Sequence, residues 1–271
     1  MSSLTCQLRS TFCWLLMLAT LAPVHAAERI VSLDYCADQY ALRIAPEKII
    51  AVSPDARSDF SYMRRAAVDV RTVRPTAENV LALKPDLVIR SYGGGPNAGA
   101  FYTRLGIRVV QLGYAATLAD IRSETVRIAS ELGREALGKT LAKEMDERLA
   151  GIQKERSGVI MYMTPGGVTT GPGTLMHEVL IAAGYRNFET SPGWRSLPLE
   201  ALAGNPPPKI ATAFYGRGAE QRFLWSAARH PLVKDLISAR GSVNLDDATT
   251  TCSAWFIVDA IERLAAAGSG P

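Results

Sequence analysis

A short pattern occurs twice in this chain, 122 residues apart, and it constrains the fold more than any single residue. The first copy is Glu78-Asn79-Val80-Leu81-Ala82-Leu83-Lys84-Pro85-Asp86-Leu87-Val88-Ile89. The second is Glu200-Ala201-Leu202-Ala203-Gly204-Asn205-Pro206-Pro207-Pro208-Lys209-Ile210-Ala211. Each reads as a glutamate opening a short helix, a proline that stops it, and then an apolar strand. A repeated helix–proline–strand unit predicts two similar lobes, and two lobes predict a cleft. It also sets one acidic residue at a matching point of each lobe, where a partner with two-fold geometry could grip both.

The first residues stand apart from this pattern. Arg9 precedes an apolar stretch from Phe12 to Leu21, Pro23 breaks it, and Val24-His25-Ala26 offers small residues for cleavage. This is the layout of a secretory signal peptide over 1–26, and the run is too short for a spanning helix. Cys13 opens the run rather than following it, so it is no lipid-anchor cysteine. The mature chain is expected to be exported and soluble, in a bacterial periplasm. Its length suits one large domain or two of roughly 100–120 residues each, and the repeat favours two. The net charge of +4 is dispersed, with acidic residues interleaved, so no basic stripe marks a nucleic-acid face. Cys6 and Cys13 leave with the leader. Cys36 and Cys252 remain, and in an oxidising compartment they read as a disulfide if they can meet. The alternative, a pair of thiolates for a soft metal, lacks a nearby histidine.

From Arg29 the pattern alternates strand and helix, which predicts an α/β fold with mostly parallel sheets. Strands are expected near Arg29–Leu33, Lys48–Val52, Leu87–Arg90, Ile107–Leu112, Val159–Met163, Lys209–Phe214 and Ser242–Leu245. Asp34 and Thr174 are candidate helix caps, and Gly184 a terminating glycine. Between Thr117 and Ile152 nothing reads as a strand. Leu118, Ile121, Ile128 and Leu132 recur at helical spacing, and Leu137, Leu141, Met145 and Leu149 resume it after Gly133. The first of these two helices is read as a connector and the second as the opening of the next lobe. The expected organisation is an N-terminal lobe over 27–116, a connector helix over 117–133 and a C-terminal lobe over 134–271. Both lobes are expected to be Rossmann-like, with the cleft between them.

Two glycine-rich segments, Gly93-Gly94-Gly95 and Gly166 to Gly173, invite a phosphate-binding reading, and neither supports it. A P-loop needs lysine and then Ser or Thr directly after its last glycine, and the first strand–helix turn, Ser32 to Cys36, has no glycine for a dinucleotide. Their expected role is backbone flexibility at the rim of a cleft. The mature chain holds only His177 and His230, too few for a histidine–carboxylate metal centre, and no nucleophile elbow is present. Neither catalysis nor a cofactor is expected. Aromatics and arginines at strand ends are more informative, because open α/β sheets bind ligands outside the carboxyl ends of their strands. Tyr35, Tyr92, Tyr162, Tyr215 and Arg217 fall there, and Trp194 and Arg195 precede the second repeat. Such a set suits a bulky, partly apolar, anionic ligand.

Three segments together resemble one known family: Ile30-Val31-Ser32-Leu33-Asp34-Tyr35-Cys36-Ala37-Asp38-Gln39, the Glu78…Lys84-Pro85-Asp86-Leu87-Val88-Ile89 element, and Gly171-Pro172-Gly173-Thr174…Ala183-Gly184-Tyr185-Arg186-Asn187-Phe188. They are similar to periplasmic substrate-binding proteins of ABC importers, in the subgroup for ferric siderophores, haem and cobalamin, whose lobes are joined by one long helix. The resemblance spans essentially the whole mature chain. It implies that Glu78 and Glu200 dock onto arginines of the transmembrane permease, although a first-turn glutamate is also favoured by the helix dipole alone. It implies a stiff hinge with small closure. Trp194 matches the family's tryptophan before the second repeat. Cobalamin binders often carry tryptophan in the first lobe as well, where this chain has Tyr92. The expectation is a monomeric periplasmic binder that delivers an iron chelate (siderophore or haem) or cobalamin to its permease. The rivals are a periplasmic enzyme, or a binder of a bare metal ion or oxyanion, on a similar two-lobed scaffold.

Overall fold

The repeat seen in the sequence is a repeat of topology. The computed structural model describes residues 29–152, 158–214 and 225–268. The expected leader lies outside these residues, as do Tyr215 and Arg217. In the first lobe the order is β1 (Ile30–Ser32), α1 (Tyr35–Ile44), β2 (Ile49–Ala51), α2 (Ala77–Leu81), β3 (Leu87–Arg90), α3 (Ala98–Arg104) and β4 (Arg108–Gln111). Helices α4 (Leu118–Glu131) and α5 (Glu135–Gly151) follow. The second lobe has β5 (Val159–Met163), β6 (Val168–Thr170), α6 (Leu175–Ala182), β7 (Arg186–Asn187), β8 (Trp194–Ser196), α7 (Leu199–Gly204), β9 (Lys209–Thr212) and β10 (Val243–Asn244). Helices at Pro231–Arg240, Asp247–Thr250 and Ile257–Gly268 complete it.

Each lobe has a four-stranded sheet, in the orders β2-β1-β3-β4 and β7-β5-β9-β10, and every ladder in both is parallel. The two orders superimpose strand for strand, so α2–β3 and α7–β9, the elements built from the repeated motif, are equivalent. β3 is buried along its whole length, as expected for a parallel strand covered on both faces. Local chemistry fixes the helix starts. Asp34, Thr76 and Thr174 cap α1, α2 and α6 by accepting from Ala37, Asn79 and His177 backbone N–H groups. Past the helix of the first motif, Lys84 stands at φ 48°, immediately before Pro85.

The connector differs from its expected form. Thr117 and Asp120 make a reciprocal capping box at the start of α4. Ala115, Leu118 and Ile121 pack into the second lobe's core, whereas Ile128, Ala129 and Leu132 pack into the first lobe's. The chain then turns at Gly133 (φ 75°), and α5 retraces the path: Leu137 and Leu141 lie with the first core, Met145 and Leu149 with the second. The two helices are thus an antiparallel pair spanning both lobes. A helical apolar stripe says which face is buried, not which core it meets. The pair packs closely at Gly138, where a Cβ would lie 2.5 Å from that of Ala129.

A second crossing runs near the C-terminus. Cys252, Ala254 and Phe256 enter the first lobe's core, and the closing helix returns to the second through Ile257, Val258, Ile261 and Leu264. Cys252 is disulfide-bonded to Cys36 with a Cα separation of 5.5 Å. The Phe256 ring stacks on Tyr62 at 4.1 Å, and the Tyr40 hydroxyl donates to the Ser253 carbonyl at 3.1 Å. Arg148 of α5 pairs with Asp259 and Glu262 of the closing helix, while the Tyr62 hydroxyl donates to Asp259 at 2.9 Å. The hydrogen bond from Arg148 holds the Glu262 carboxyl below its ordinary range.

Candidate ligand-binding cleft

The chain's crossings orient the two sheets. It leaves the carboxyl end of β4 at Leu112 and reaches the second core by Ala115; it leaves the carboxyl end of β10 at Asn244 and reaches the first core by Cys252. The exits come from equivalent strands, so the carboxyl edges of both sheets face the opposite lobe. Parallel sheets collect ligands at this edge.

The first lobe's wall is aromatic. Tyr35, at the start of α1, meets Phe60 edge-on at 5.1 Å and Tyr92 at 5.8 Å. Tyr92 follows β3 and is 53% exposed. Partial burial, and after it the neighbouring Tyr35, pushes its phenol well above the ordinary tyrosine range, so it stays protonated and neutral. Tyr114, three residues past β4, is 80% exposed.

The loop carrying Tyr92 corrects the expectation for Gly93-Gly94-Gly95. It is clamped, not slack. Asp34 Oδ2 accepts from the backbone N–H groups of Ser91, Tyr92 and Gly93 at 2.7, 3.1 and 2.9 Å, while its Oδ1 caps α1. The buried Arg90 guanidinium donates to the Gly93 and Gly95 carbonyls at 2.8 and 2.7 Å. A Cβ on Gly93 would sit 2.2 Å from the Leu33 carbonyl oxygen, so glycine is required for close approach of two backbones.

The second lobe's wall is built on a ribbon whose two strands are not among those expected from the sequence. β6 and β8 pair antiparallel, with Thr170 opposite Trp194 and Thr169 opposite Arg195. The Gly166–Gly173 segment is tight here as well: a Cβ on Gly171 would lie 1.8 Å from the Ser191 carbonyl oxygen, and the Thr174 hydroxyl donates to the Gly171 carbonyl. Trp194 is 52% exposed and Arg195 is exposed. Tyr162 does not stand at the surface. It is 1% exposed within the core, and it reaches the wall only as an edge-on support for Trp194 at 6.2 Å. Its strand is buried on both faces, so alternation gave no outward direction. Trp225 is 99% exposed, and the adjacent Ser226 packs against Gly167 in the turn after β5.

Phe60, which packs on Tyr35, and the exposed Tyr114 and Trp225 were not among the candidates read from the sequence. Tyr114 was accessible to the same strand-end rule that selected Tyr92, whereas Phe60 lies well past the end of β2, beyond the reach of that rule. His177 and His230 are occupied structurally, His177 against Asn187 at 3.1 Å and His230 as acceptor from Leu232 N–H. Among the described residues no cluster of three or more His, Cys, Asp or Glu could hold a metal.

Glu78 and Glu200 are exposed, each the second residue of its helix. The Pro75 carbonyl lies near Gly94 past β3, and Leu197 N–H donates to the Gly167 carbonyl past β5 at 2.9 Å. The two glutamate helices therefore both begin at the carboxyl edges, beside the aromatic walls.

A profile of the periplasmic binding protein family matches residues 30–213. No protein of curated function matches the chain by sequence. Among solved structures, the periplasmic haem-binding protein HutB of Vibrio cholerae is similar at a TM-score of 0.72 and 17% identity, over 89% of this chain and 99% of that one. A periplasmic haem-binding protein from Pseudomonas aeruginosa gives 0.68 and 23% identity, over 89% and 92%. The periplasmic vitamin B12 binding protein BtuF of Vibrio cholerae gives 0.60 and 19%, over 90% and 97%.

Proposed function

The chain belongs to the periplasmic binding protein family, and on that premise we propose that it captures an iron chelate (siderophore or haem) or cobalamin in the periplasm and delivers it to an ABC importer. What supports this reading is the set of large exposed rings near the carboxyl edges of the two sheets, Tyr92, beside Tyr35, and Tyr114 on one lobe and Trp194 and Trp225 on the other. Large exposed rings are costly on a surface without a partner, and together they suit a broad, flat, partly apolar ligand. Arg195, exposed on the ribbon, supplies a cation for peripheral carboxylates; Arg217, read from the sequence for the same role, lies outside the described residues. Tyr162 serves as support for Trp194 rather than as a contact. Glu78 and Glu200 stand beside the mouth of the cleft, one per lobe, so a permease bound to both would straddle the opening. Paired surface charges of this kind set orientation more than affinity.

The test is a titration with haemin, a ferric siderophore and cyanocobalamin, followed by intrinsic tryptophan fluorescence. The true ligand quenches the wild type, and Trp194→Phe removes much of the response. Absence of any quenching by all three classes refutes the reading.

A further inference from the structure

The Ser91–Gly95 loop is gripped from both sides by charged groups buried beneath it, and that grip has a consequence for recognition. Three successive backbone N–H groups, from Ser91 to Gly93, converge on one oxygen of Asp34. From the other side Arg90 takes the carbonyls of Gly93 and Gly95 and also donates to Gln111 Oε1 at 2.8 Å. Gln111 in turn donates to the Ser91 carbonyl at 2.6 Å. Both Asp34 and Arg90 are buried, at 3% and 6% exposure. The second oxygen of Asp34 caps α1, whose first residue is Tyr35. One carboxylate therefore fixes the backbone under both rings of the Tyr35–Tyr92 pair.

We propose that Asp34 and Arg90 are positioning residues for ligand capture, which lock the Ser91–Gly95 loop and so hold Tyr92 against Tyr35 before ligand arrives. The proposal rests on the reading of this edge as the ligand site. Its chemistry is specific to the charged groups. The Asp34 carboxylate faces four N–H donors and no acceptor. Asparagine has a single acceptor oxygen, so its amide NH2 must face either the α1 terminus or the loop, donor against donor. Methionine at position 90 fills similar volume but leaves two loop carbonyls and Gln111 without their donor. In either variant the loop gains freedom that binding must then remove, and the affinity falls on the order of ten- to a hundredfold.

The test uses full-length mature protein labelled with 3-fluorotyrosine, with the Tyr92 resonance assigned by its disappearance in Tyr92→Phe. In Asp34→Asn the Tyr92 line is expected to move or broaden toward that of an unrestrained tyrosine, while the buried Tyr162 and Tyr185 lines stay in place as the control for folding. If Asp34→Asn does not fold, Arg90→Met and the conservative Arg90→Lys take its place, with the lysine expected to restore the line in part. Haemin affinity supplies the second readout. Tyr92→Ala and the clamp variant each weaken it, and the double variant is no weaker than the worse single, because the clamp acts through Tyr92. An unchanged Tyr92 line in a folded clamp variant overturns the proposal, and so do losses that multiply in the double variant. The fluorine measurement needs no ligand. Failure of haemin, ferric siderophore and cyanocobalamin alike to bind the wild type would sink the proposed function, while the Tyr92 line alone would still decide whether the clamp positions that ring.

Discussion

Replacing Asp38 by asparagine should reverse part of this protein's pH dependence of stability. Asp38 lies in α1, wholly buried, with Oδ1 accepting from Ser53 N–H at 3.1 Å and Oδ2 from the Ser53 hydroxyl at 2.6 Å. No cation partners it in the interactions that set its acidity. Burial dominates, opposed by hydrogen bonds from Ser32 and Ser53, and raises the carboxyl from 3.8 to about 6. A folded-state value above the unfolded one means that the folded protein favours the protonated acid. The resulting stabilisation is full below about pH 4 and is lost as pH rises through 6. At about 1.4 kcal/mol per unit, the displacement of two units amounts to about 3 kcal/mol between those limits. Asparagine cannot ionise. Its oxygen can accept from Ser53 N–H, and its amide can donate to the Ser53 oxygen after the hydroxyl rotates. The stability difference between Asp38→Asn and wild type should therefore shift by about 3 kcal/mol in favour of the variant from pH 4 to pH 8. For a chain of this size that is roughly 6–12 °C in melting temperature. Thermal melts of both proteins at half-unit intervals of pH read it directly. A difference that stays flat across the range refutes the argument, because the ionisation of Asp38 would then carry no free-energy cost in the fold.

Two further perturbations address the partner and the lobe junction. Glu78→Ala combined with Glu200→Ala should abolish transport in a reconstituted importer while leaving the ligand dissociation constant unchanged; a loss of affinity would move these residues from docking into the pocket. Cys36→Ser with Cys252→Ser should lower unfolding stability by about 2–4 kcal/mol, measured in denaturant titrations against the oxidised wild type, and no change in midpoint would show that the crossing holds without the bond.

The sequence disclosed whatever was encoded locally or by repetition. The Glu–Pro–strand motif marks equivalent strands β3 and β9 because a proline stop and a buried apolar run are legible within a dozen residues. The Asp34 and Thr174 caps were of the same kind. What stayed hidden depends on distant partners. Gly93-Gly94-Gly95 looked flexible because the groups that pin it include Asp34, 57 residues upstream of Ser91, and Arg90, whose buried role nothing nearby announces. The pairing of β6 with β8 escaped because three-residue strands carry no usable period. Tyr162 and Trp194 parted for a related reason: residue type placed both at the cleft, whereas burial made Tyr162 a support and left Trp194 exposed.

These hidden contacts bear on how such a molecule selects a ligand. Its lobes are tied by two antiparallel helices that each span both cores, and again by the Cys252–Phe256 crossing, sealed by a disulfide and the Tyr62–Phe256 stack. Rotation of one lobe would have to bend both helices of the pair between the two cores and pull Tyr62 of the first lobe from Asp259 of the closing helix. Packed interfaces of that kind resist continuous deformation. With large closure disfavoured by the frame, shape discrimination falls to the walls themselves, and a preset wall must be fixed by groups that do not touch the ligand. Asp34 and Arg90 beneath Tyr92, and Tyr162 beneath Trp194, occupy that position on the two lobes. On the proposed site, selectivity would be set by how firmly each exposed ring is backed, and that backing comes from residues a list of surface contacts would omit.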